Sequence, residues 1–268
     1  MKKLIAALIP FTGLAYTPLY AGVAMDMVTT DASGQQTEKS RIYAQSNKVR
    51  IDKIGGRKDE QVSMIFLGEE LLMLNHKDKT YVVMDEAMLE QMNSQMSEAT
   101  KQMEAQLAQV PPEQRAMVEK MMKGQMRSMM PKQSAPPLRV ETGGSGEWQT
   151  YSCTQYTIYS GNEKTQDICA ASLDQIEGSD EVMGAFRSMA AFVKKMSESL
   201  PGPMASSVAQ NPTGMMDQIE GFPVHTVQFE KGSVSQKISL DSMTEQALEE
   251  SLFAVPDNYN KQDLFKGR

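Results

Sequence analysis

Residues 62–85 read VSMIFLGEELLMLNHKDKTYVVMD, and this stretch decides the fold. It contains two unbroken apolar runs, Met64 to Leu67 and Leu71 to Leu74, which have the length of strands and are joined across Gly68. A third strand is predicted from Thr80 to Asp85. Strands without alternation are typical of sheets that are covered on both faces. Something must therefore pack over this sheet.

Shorter segments on both sides of this stretch extend the sheet. Strands are predicted at 22–30, 40–44 and 48–52, and two hairpins are predicted at 148–171 and 222–241. The segment 251–256 ends at a proline and is predicted to be a short edge strand. The sequence therefore predicts an α+β fold on one open, mostly antiparallel sheet.

A methionine-rich helical hairpin is predicted at residues 85–131, and it would form the cover. Asp85 is a suitable N-cap, and apolar residues then recur at steps of three and four for about six turns. The prolines at 111 and 112 begin a second helix, which ends at Pro131. The stripes include Met88, Met92, Met96, Met103 and Leu107 on the first helix and Met117, Met121 and Met122 on the second.

A further helix is predicted after the first hairpin of strands. Ser179 is its expected N-cap, and its apolar stripe is Val182, Phe186, Met189, Val193, Met196 and Leu200. Two stretches rich in proline, glycine and serine, 132–146 and 201–214, are predicted to be a loop and a linker.

The N-terminus has the pattern of a secretory signal peptide. Lys2 and Lys3 precede an uncharged apolar run from Leu4 to Tyr20, which two prolines and a glycine interrupt. Such a run is too short for a membrane-spanning helix. We expect cleavage near Ala21, a periplasmic chain of one domain from 22 to 268, and no transmembrane anchor after cleavage.

Charge argues against one class of partner. Removing residues 1–21 takes away two lysines and no acids, so the formal charge changes from −7 to −9. A net acidic chain is not drawn to nucleic acid, and we expect no nucleic-acid partner.

The sequence contains two cysteines, Cys153 and Cys169. Export to an oxidising compartment favours a disulfide for such a pair. If the turn of their hairpin is centred near Gly161, the two face each other across it. No histidine or further cysteine lies nearby in the sequence, so a metal site is not predicted there.

Few side chains suit catalysis. His76 lies in a charged turn and is expected to be solvated, and His225 lies in a predicted strand and is expected to be a hydrogen-bonded structural residue. With both cysteines bonded, no thiol nucleophile remains, and the sequence has no phosphate-binding loop or hydrolase motif. We expect a protein that is not an enzyme and has no cofactor.

Several stretches resemble the family called domain of unknown function 4412. The first half of that family is similar to VRID at 49–52, MIF at 64–66 and KTYVVMD at 79–85. The second half is similar to YSCTQY at 151–156, GFPV at 221–224 and LFAVPDNY at 252–259. The resemblance implies a curved, open half-barrel with helices on its concave face, similar to the LolA-like carriers of lipids and lipoproteins. It brings no catalytic residues.

Three functions fit the methionine-rich hairpin. The favoured one is a lid over an apolar cleft that holds an acyl chain, a lipid or a lipidated peptide, because methionine suits an adaptable apolar surface. The second is docking to another envelope protein. The third is a Cu(I) or Ag(I) site on Met88, Met92 and Met96, since thioethers select soft ions. Stripes at helical spacing more commonly pack, so no metal site is predicted.

Overall fold

The computed structural model describes residues 20–54, 62–109, 136, 138–199 and 218–263. Residues 1–19 of the predicted signal peptide, the second helix of the predicted hairpin and the linker 201–214 lie outside these residues. The strands are β1 (Tyr20–Asp31), β2 (Gln36–Gln45), β3 (Lys48–Ile54), β4 (Val62–Leu67), β5 (Leu71–Asn75), β6 (Thr80–Met84), β7 (Leu138–Trp148), β8 (Tyr151–Ser160), β9 (Glu163–Ala171), β10 (Phe222–Glu230), β11 (Ser233–Leu248) and β12 (Asn260–Lys261). The α-helices are α1 (Glu86–Gln109) and α2 (Ser179–Ser199).

All twelve strands form one open sheet, in the order β12-β6-β5-β4-β3-β2-β1-β11-β10-β9-β8-β7. Neighbours are antiparallel except β12, which runs parallel to β6. Two consecutive meanders, β1 to β6 and β7 to β11, are joined where β1 pairs with β11. The open, mostly antiparallel sheet predicted from the sequence is confirmed.

Helix α2 lies on one face of the sheet, which we call the helix-bearing face. Its buried residues Val182, Met183, Ala185 and Met189 share one core cluster with side chains of β1 to β4, including Val23 and Phe66. The rings of Phe66 and Phe192 are 5.5 Å apart between centroids. The helix is as predicted, and Val182, Met189 and Met196 of its predicted stripe are buried, while Leu200 lies outside the described residues. Ser179 is the first helical residue rather than the cap, and its hydroxyl donates to the carbonyl oxygen of Leu173.

The other face of β2 to β6, which we call the outer face, is covered by the C-terminal segment. A second core cluster there contains Ile65, Leu72, Leu74, Leu248 and Phe253. The strands are therefore apolar on both faces, as predicted, but only the outer face is fully covered. Its cover is the C-terminal segment and not the predicted hairpin, while α2 covers the helix-bearing face only in part. The edge strand predicted at 251–256 is wrong. A 3₁₀ helix at Glu250–Phe253 lies on the outer face instead, and the edge is paired by β12.

The loop predicted at 132–146 is wrong over most of its length, because β7 begins at Leu138. Three glycines made this stretch look unstructured. In the sheet, Gly143 and Gly146 face Gln155 of β8, and a Cβ atom on Gly146 would lie 2.6 Å from the Gln155 amide nitrogen. A break in register between Thr142 and Ser145 accommodates the run. Pairing with β8 thus overrides the low strand propensity of glycine.

The first helix of the predicted hairpin is confirmed as α1. The Asp85 carboxylate accepts a hydrogen bond from the backbone N–H of Met88 at 2.8 Å, which is the predicted N-cap. Among the described helices, none is both long enough and apolar enough to cross a membrane.

Candidate ligand-binding site

An apolar row crosses seven strands on the helix-bearing face. One residue from each strand pairs directly with the next, in the order Met243, Met25, Ile42, Ile51, Met64, Met73 and Val82. Residues opposite each other in antiparallel strands point to the same side of the sheet. We call these seven side chains the apolar row.

The apolar row changes from closed to open along its length. Met25 and Ile42 are 3% and 8% exposed and belong to the core cluster that includes α2. Ile51, Met64 and Val82 are half-buried, and Met73 is 43% exposed. Strands lie 4.7–4.9 Å apart, so the four residues from Ile51 to Val82 span about 14 Å. We call these four residues the open end of the row.

Helix α1 begins next to this face, directly after β6, and contacts β6 and α2. Of the predicted lid residues, Met88 and Met92 are half-buried, while Leu89, which the predicted stripe missed, is buried. The sequence did contain a signal for Leu89, since Leu89, Met92 and Met96 also follow one another at steps of three and four. The side chains of Met96, Met103 and Leu107 and all of Met117, Met121 and Met122 lie outside the described residues.

A cleft of about 1040 Å³ separates the start of α1 from the C-terminal half of α2. The turns between β2 and β3 and between β4 and β5 close its remaining side. Its apolar floor includes Leu89, Phe192 and Met196. Carboxylates and amides surround this floor, so the cleft is more polar than the one predicted.

Two polar contacts join α1 to α2 across this cleft. Lys195 Nζ lies 3.6 Å from a carboxylate oxygen of Glu86, and both side chains are largely exposed. The Asn93 amide donates to the carbonyl oxygen of Ser199 at 2.9 Å. An exposed ion pair contributes about 0–1 kcal/mol. The described part of α1 is therefore held to α2 by weak contacts together with the burial of Leu89.

On the outer face, a polar chain links β3 and β4 to the C-terminal segment. Tyr259 Oη lies 2.6 Å from His76 Nδ1, and His76 Nε2 contacts the Ser63 hydroxyl, which donates to Asp52. Because the Ser63 proton points to Asp52, His76 donates through Nε2 and accepts from Tyr259 through Nδ1. The expectation of a solvated His76 is wrong.

This polar chain has the residue types of a hydrolase but not their order. Ser63 lies between the aspartate and the histidine and is 2% exposed, so its hydroxyl is neither activated by His76 nor accessible. Burial lowers the pKa of His76, the positive charge of Arg50 adds to this effect, and Asp52 opposes it. The neutral ring is therefore favoured, and because its Nε2 donates to Ser63, its Nδ1 accepts from Tyr259. These hydrogen bonds hold the C-terminal segment against the outer face of the sheet.

Cys153 and Cys169 form a disulfide, with Cα atoms 5.4 Å apart. The two residues do not face each other directly, since Cys153 pairs with Ala171 and Cys169 with Gln155. The reason is that the turn is centred between Gly161 and Asn162, and a further irregularity after Ile158 shifts the register. The bond therefore crosses the hairpin diagonally.

His225, opposite Cys169 in the next strand, is a packed structural residue, as predicted. Its ring stacks on Trp148 with centroids 3.6 Å apart, and its Nδ1 lies 2.9 Å from the Ser239 hydroxyl. Burial lowers the pKa of His225, and Lys237 adds to this shift.

Within the described ranges, no three histidine, cysteine, aspartate or glutamate side chains are grouped as metal ligands. The prediction that Met88, Met92 and Met96 do not form a thioether metal site stays untested, because the Met96 side chain is outside those ranges.

A family model described as "Domain of unknown function (DUF4412)" matches residues 84–259. This range contains the three stretches whose resemblance was noted in the second half of the family; it excludes those at 49–52 and 64–66 and contains only the last two residues of the one at 79–85. Among curated proteins, none is significantly similar in sequence.

Several solved structures are similar in fold. An uncharacterised conserved protein from Thermus thermophilus has a TM-score of 0.45 and 9% identity, over 91% of this chain and 90% of that one. The Pseudomonas aeruginosa MucA/MucB complex has a TM-score of 0.37 and 9% identity, over 89% and 56%. A LolA superfamily protein from Nitrosomonas europaea has a TM-score of 0.33 and 6% identity, over 89% and 91%. These similarities are too weak to support conclusions about function.

Proposed function

This chain belongs to the DUF4412 family, and since that family's description assigns no activity, we propose a function from the site alone: a non-enzymatic periplasmic protein that binds an apolar chain at the open end of the row. The ligand is an acyl chain, of a lipid or of a lipidated peptide. Export rests on the N-terminal sequence and is supported by the disulfide between Cys153 and Cys169.

The observation that carries this proposal is the exposure of Met73. It is one of two large apolar residues that are openly exposed among the described residues, and the other three residues of the open end are half-buried. Soluble proteins leave single apolar residues exposed, but a continuous apolar strip points to an occupant. The open end is long enough for a substantial part of an extended acyl chain.

Burial supplies the affinity in this proposal. Each CH₂ group removed from water contributes about 0.8 kcal/mol, so a chain segment lying across four strands gains several kcal/mol. Two of the four residues, Met64 and Met73, have flexible thioether side chains that can adapt to different chains. The start of α1, with half-buried Met88 and Met92, adds adaptable surface at the same end of the sheet.

The test compares two exposed apolar residues on opposite faces. Met73→Gln removes apolar surface from the row at nearly constant length, and Ile54→Gln removes it from the outer face, where Ile54 is 45% exposed. We expect saturable binding of a fluorescent fatty acid to the wild type. The affinity should fall by about fivefold or more in Met73→Gln and stay unchanged in Ile54→Gln.

Two results would overturn the proposal. One is the absence of saturable binding to the wild-type protein. The other is an equal loss in both variants, which would indicate non-specific adsorption. Thermal unfolding of each variant checks that the sheet stays folded.

A further inference from the structure

We infer that the cleft between α1 and α2 is a second, separate site, which docks a basic amphipathic segment of a partner protein. This inference does not depend on the proposed acyl-chain site. It rests on the charge of the cleft, on its apolar floor and on the fixed turn that carries Glu69 and Glu70.

The ionisable side chains of the cleft are strongly unbalanced. Five carboxylates line it, against one basic residue, Lys195. Glu86 is paired with Lys195, and the Asp85 carboxylate caps α1. The remaining three, Glu69, Glu70 and Glu90, have no ion-pair partner within the described residues, and we call them the acidic rim.

Helix α2 strengthens this negative potential. Its C-terminal half lines the cleft, from Ser188 to Ser199. The C-terminal end of a helix carries a partial negative charge. An anionic lipid headgroup or a fatty-acid carboxylate is therefore disfavoured in the cleft, and a cationic group is favoured.

Two of the three carboxylates of the acidic rim are held on a fixed turn. Gly68 has a φ of +86°, and a Cβ atom there would lie 2.4 Å from the Asn47 side-chain nitrogen. The N–H of Leu67 donates to the carbonyl oxygen of Glu70 at 3.0 Å, which closes the turn. Glu69 and Glu70 are therefore presented in a defined position next to the cleft.

Between these charges, the floor offers apolar contact. Half-buried Phe192, which packs on Phe66, and the exposed Ala87 and Ala191 supply this surface, with Leu89 and Met196 buried beneath them. An apolar floor with a rim of one charge is complementary to an amphipathic segment, whose apolar side enters the groove while its lysines and arginines meet the rim. A small cation would satisfy the rim but would leave the floor in contact with water.

The experiment uses the full exported chain and three synthetic peptides. The first is a helical peptide with leucines on one side and lysines on the other, and the other two replace its lysines by glutamine or its leucines by serine. We expect only the first peptide to bind, with an affinity that falls as salt is added. The fluorescent fatty acid should not displace it, because it occupies the apolar row.

The protein variants locate the site. The triple change Glu69→Gln, Glu70→Gln and Glu90→Gln should weaken binding of the first peptide by about tenfold. The matched control, Glu147→Gln, Glu163→Gln and Glu177→Gln, changes three exposed glutamates elsewhere and should leave the affinity unchanged. Circular dichroism checks the helix content of both variants.

Three outcomes would overturn the inference. Equal binding of the leucine-free peptide would mean that only bulk charge is sensed. Equal weakening by the two triple changes would place binding elsewhere. Binding of dodecylamine, lost in the acidic-rim variant, without binding of the first peptide would mean that the occupant is a small cationic amphiphile and not a protein segment.

Discussion

The two faces of strands β4 and β5 are both apolar, but they are covered to different extents. On the outer face, Ile65, Leu72 and Leu74 are sealed under the C-terminal segment by Phe253. On the helix-bearing face, the same strands leave Met64 half-buried and Met73 exposed. The comparison teaches that apolar sequence alone does not mark a binding surface. What distinguishes the two faces is whether the chain supplies a segment that covers them.

The largest expected effect concerns this contrast directly. Phe253 is 3% exposed, so Phe253→Ala should lower the free energy of unfolding by about 3–5 kcal/mol, because it leaves a cavity in the outer cluster. Met73→Ala should lower it by about 0.5 kcal/mol or less, because Met73 is already largely in water. Urea unfolding measures both. Equal losses would show that the helix-bearing face is as closed in solution as the outer face.

A second prediction concerns the part of the sheet that the C-terminal segment does not reach. Arg41 donates to both carboxylate oxygens of Asp26, at 2.7 and 2.8 Å, and together with Lys39 lowers the pKa of Asp26 to about 2. The unfolded value is near 3.8, so the stabilisation is complete above about pH 4 and is lost as the pH falls towards 2. Asp26→Asn should cost about 2 kcal/mol at pH 7.

Urea unfolding at pH 7 and at pH 2.5 checks this prediction. The difference between wild type and Asp26→Asn should shrink at the lower pH. A difference that is the same at both pH values would mean that the ion pair is not the cause.

The smallest effect is expected for the polar chain that holds the C-terminal segment on the outer face. Tyr259→Phe removes the hydroxyl that donates to His76 Nδ1, and it should lower the free energy of unfolding by about 1 kcal/mol. Tyr81→Phe is the matched control, since no hydrogen bond of its hydroxyl contributes to this polar chain. Faster hydrogen exchange of β4 and β5 in Tyr259→Phe alone would show that the polar chain holds the C-terminal segment in place. Equal exchange in the two variants would contradict this.

Part of this contrast could be predicted from the sequence, and part could not. The runs at 64–67 and 71–74 required two covers, and the cap at Asp85 fixed the start of α1. The outer cover was missed because it depends on distant contacts. Arg50, for example, donates to the carbonyl oxygen of Leu252, which lies 202 residues later. The scattered apolar residues from 248 to 259 have no period that would indicate such packing.

The apolar row could not be read from the sequence either. Alternation shows which residues of one strand share a face, but it does not show which residues of different strands are neighbours. Met25 and Met73 join one row only once the registers of the strands between them are known. The cleft was predicted as apolar because its acidic residues belong to a turn and a helix start, where charged residues are ordinary.

The short strand β12 has a consequence for the behaviour of the protein among other chains. Backbone N–H groups at β12 donate to Lys79, directly before β6, and to Tyr81 in β6, from Asn260 and Gln262 at 2.9 and 2.8 Å. An unpaired edge strand recruits strands of other molecules and so starts aggregation. These bonds occupy the edge of β6 at its start, where Thr80 and Tyr81 pair with β12. A chain truncated before Asn260 would therefore expose an unpaired, aggregation-prone edge of β6, even where its core remained folded.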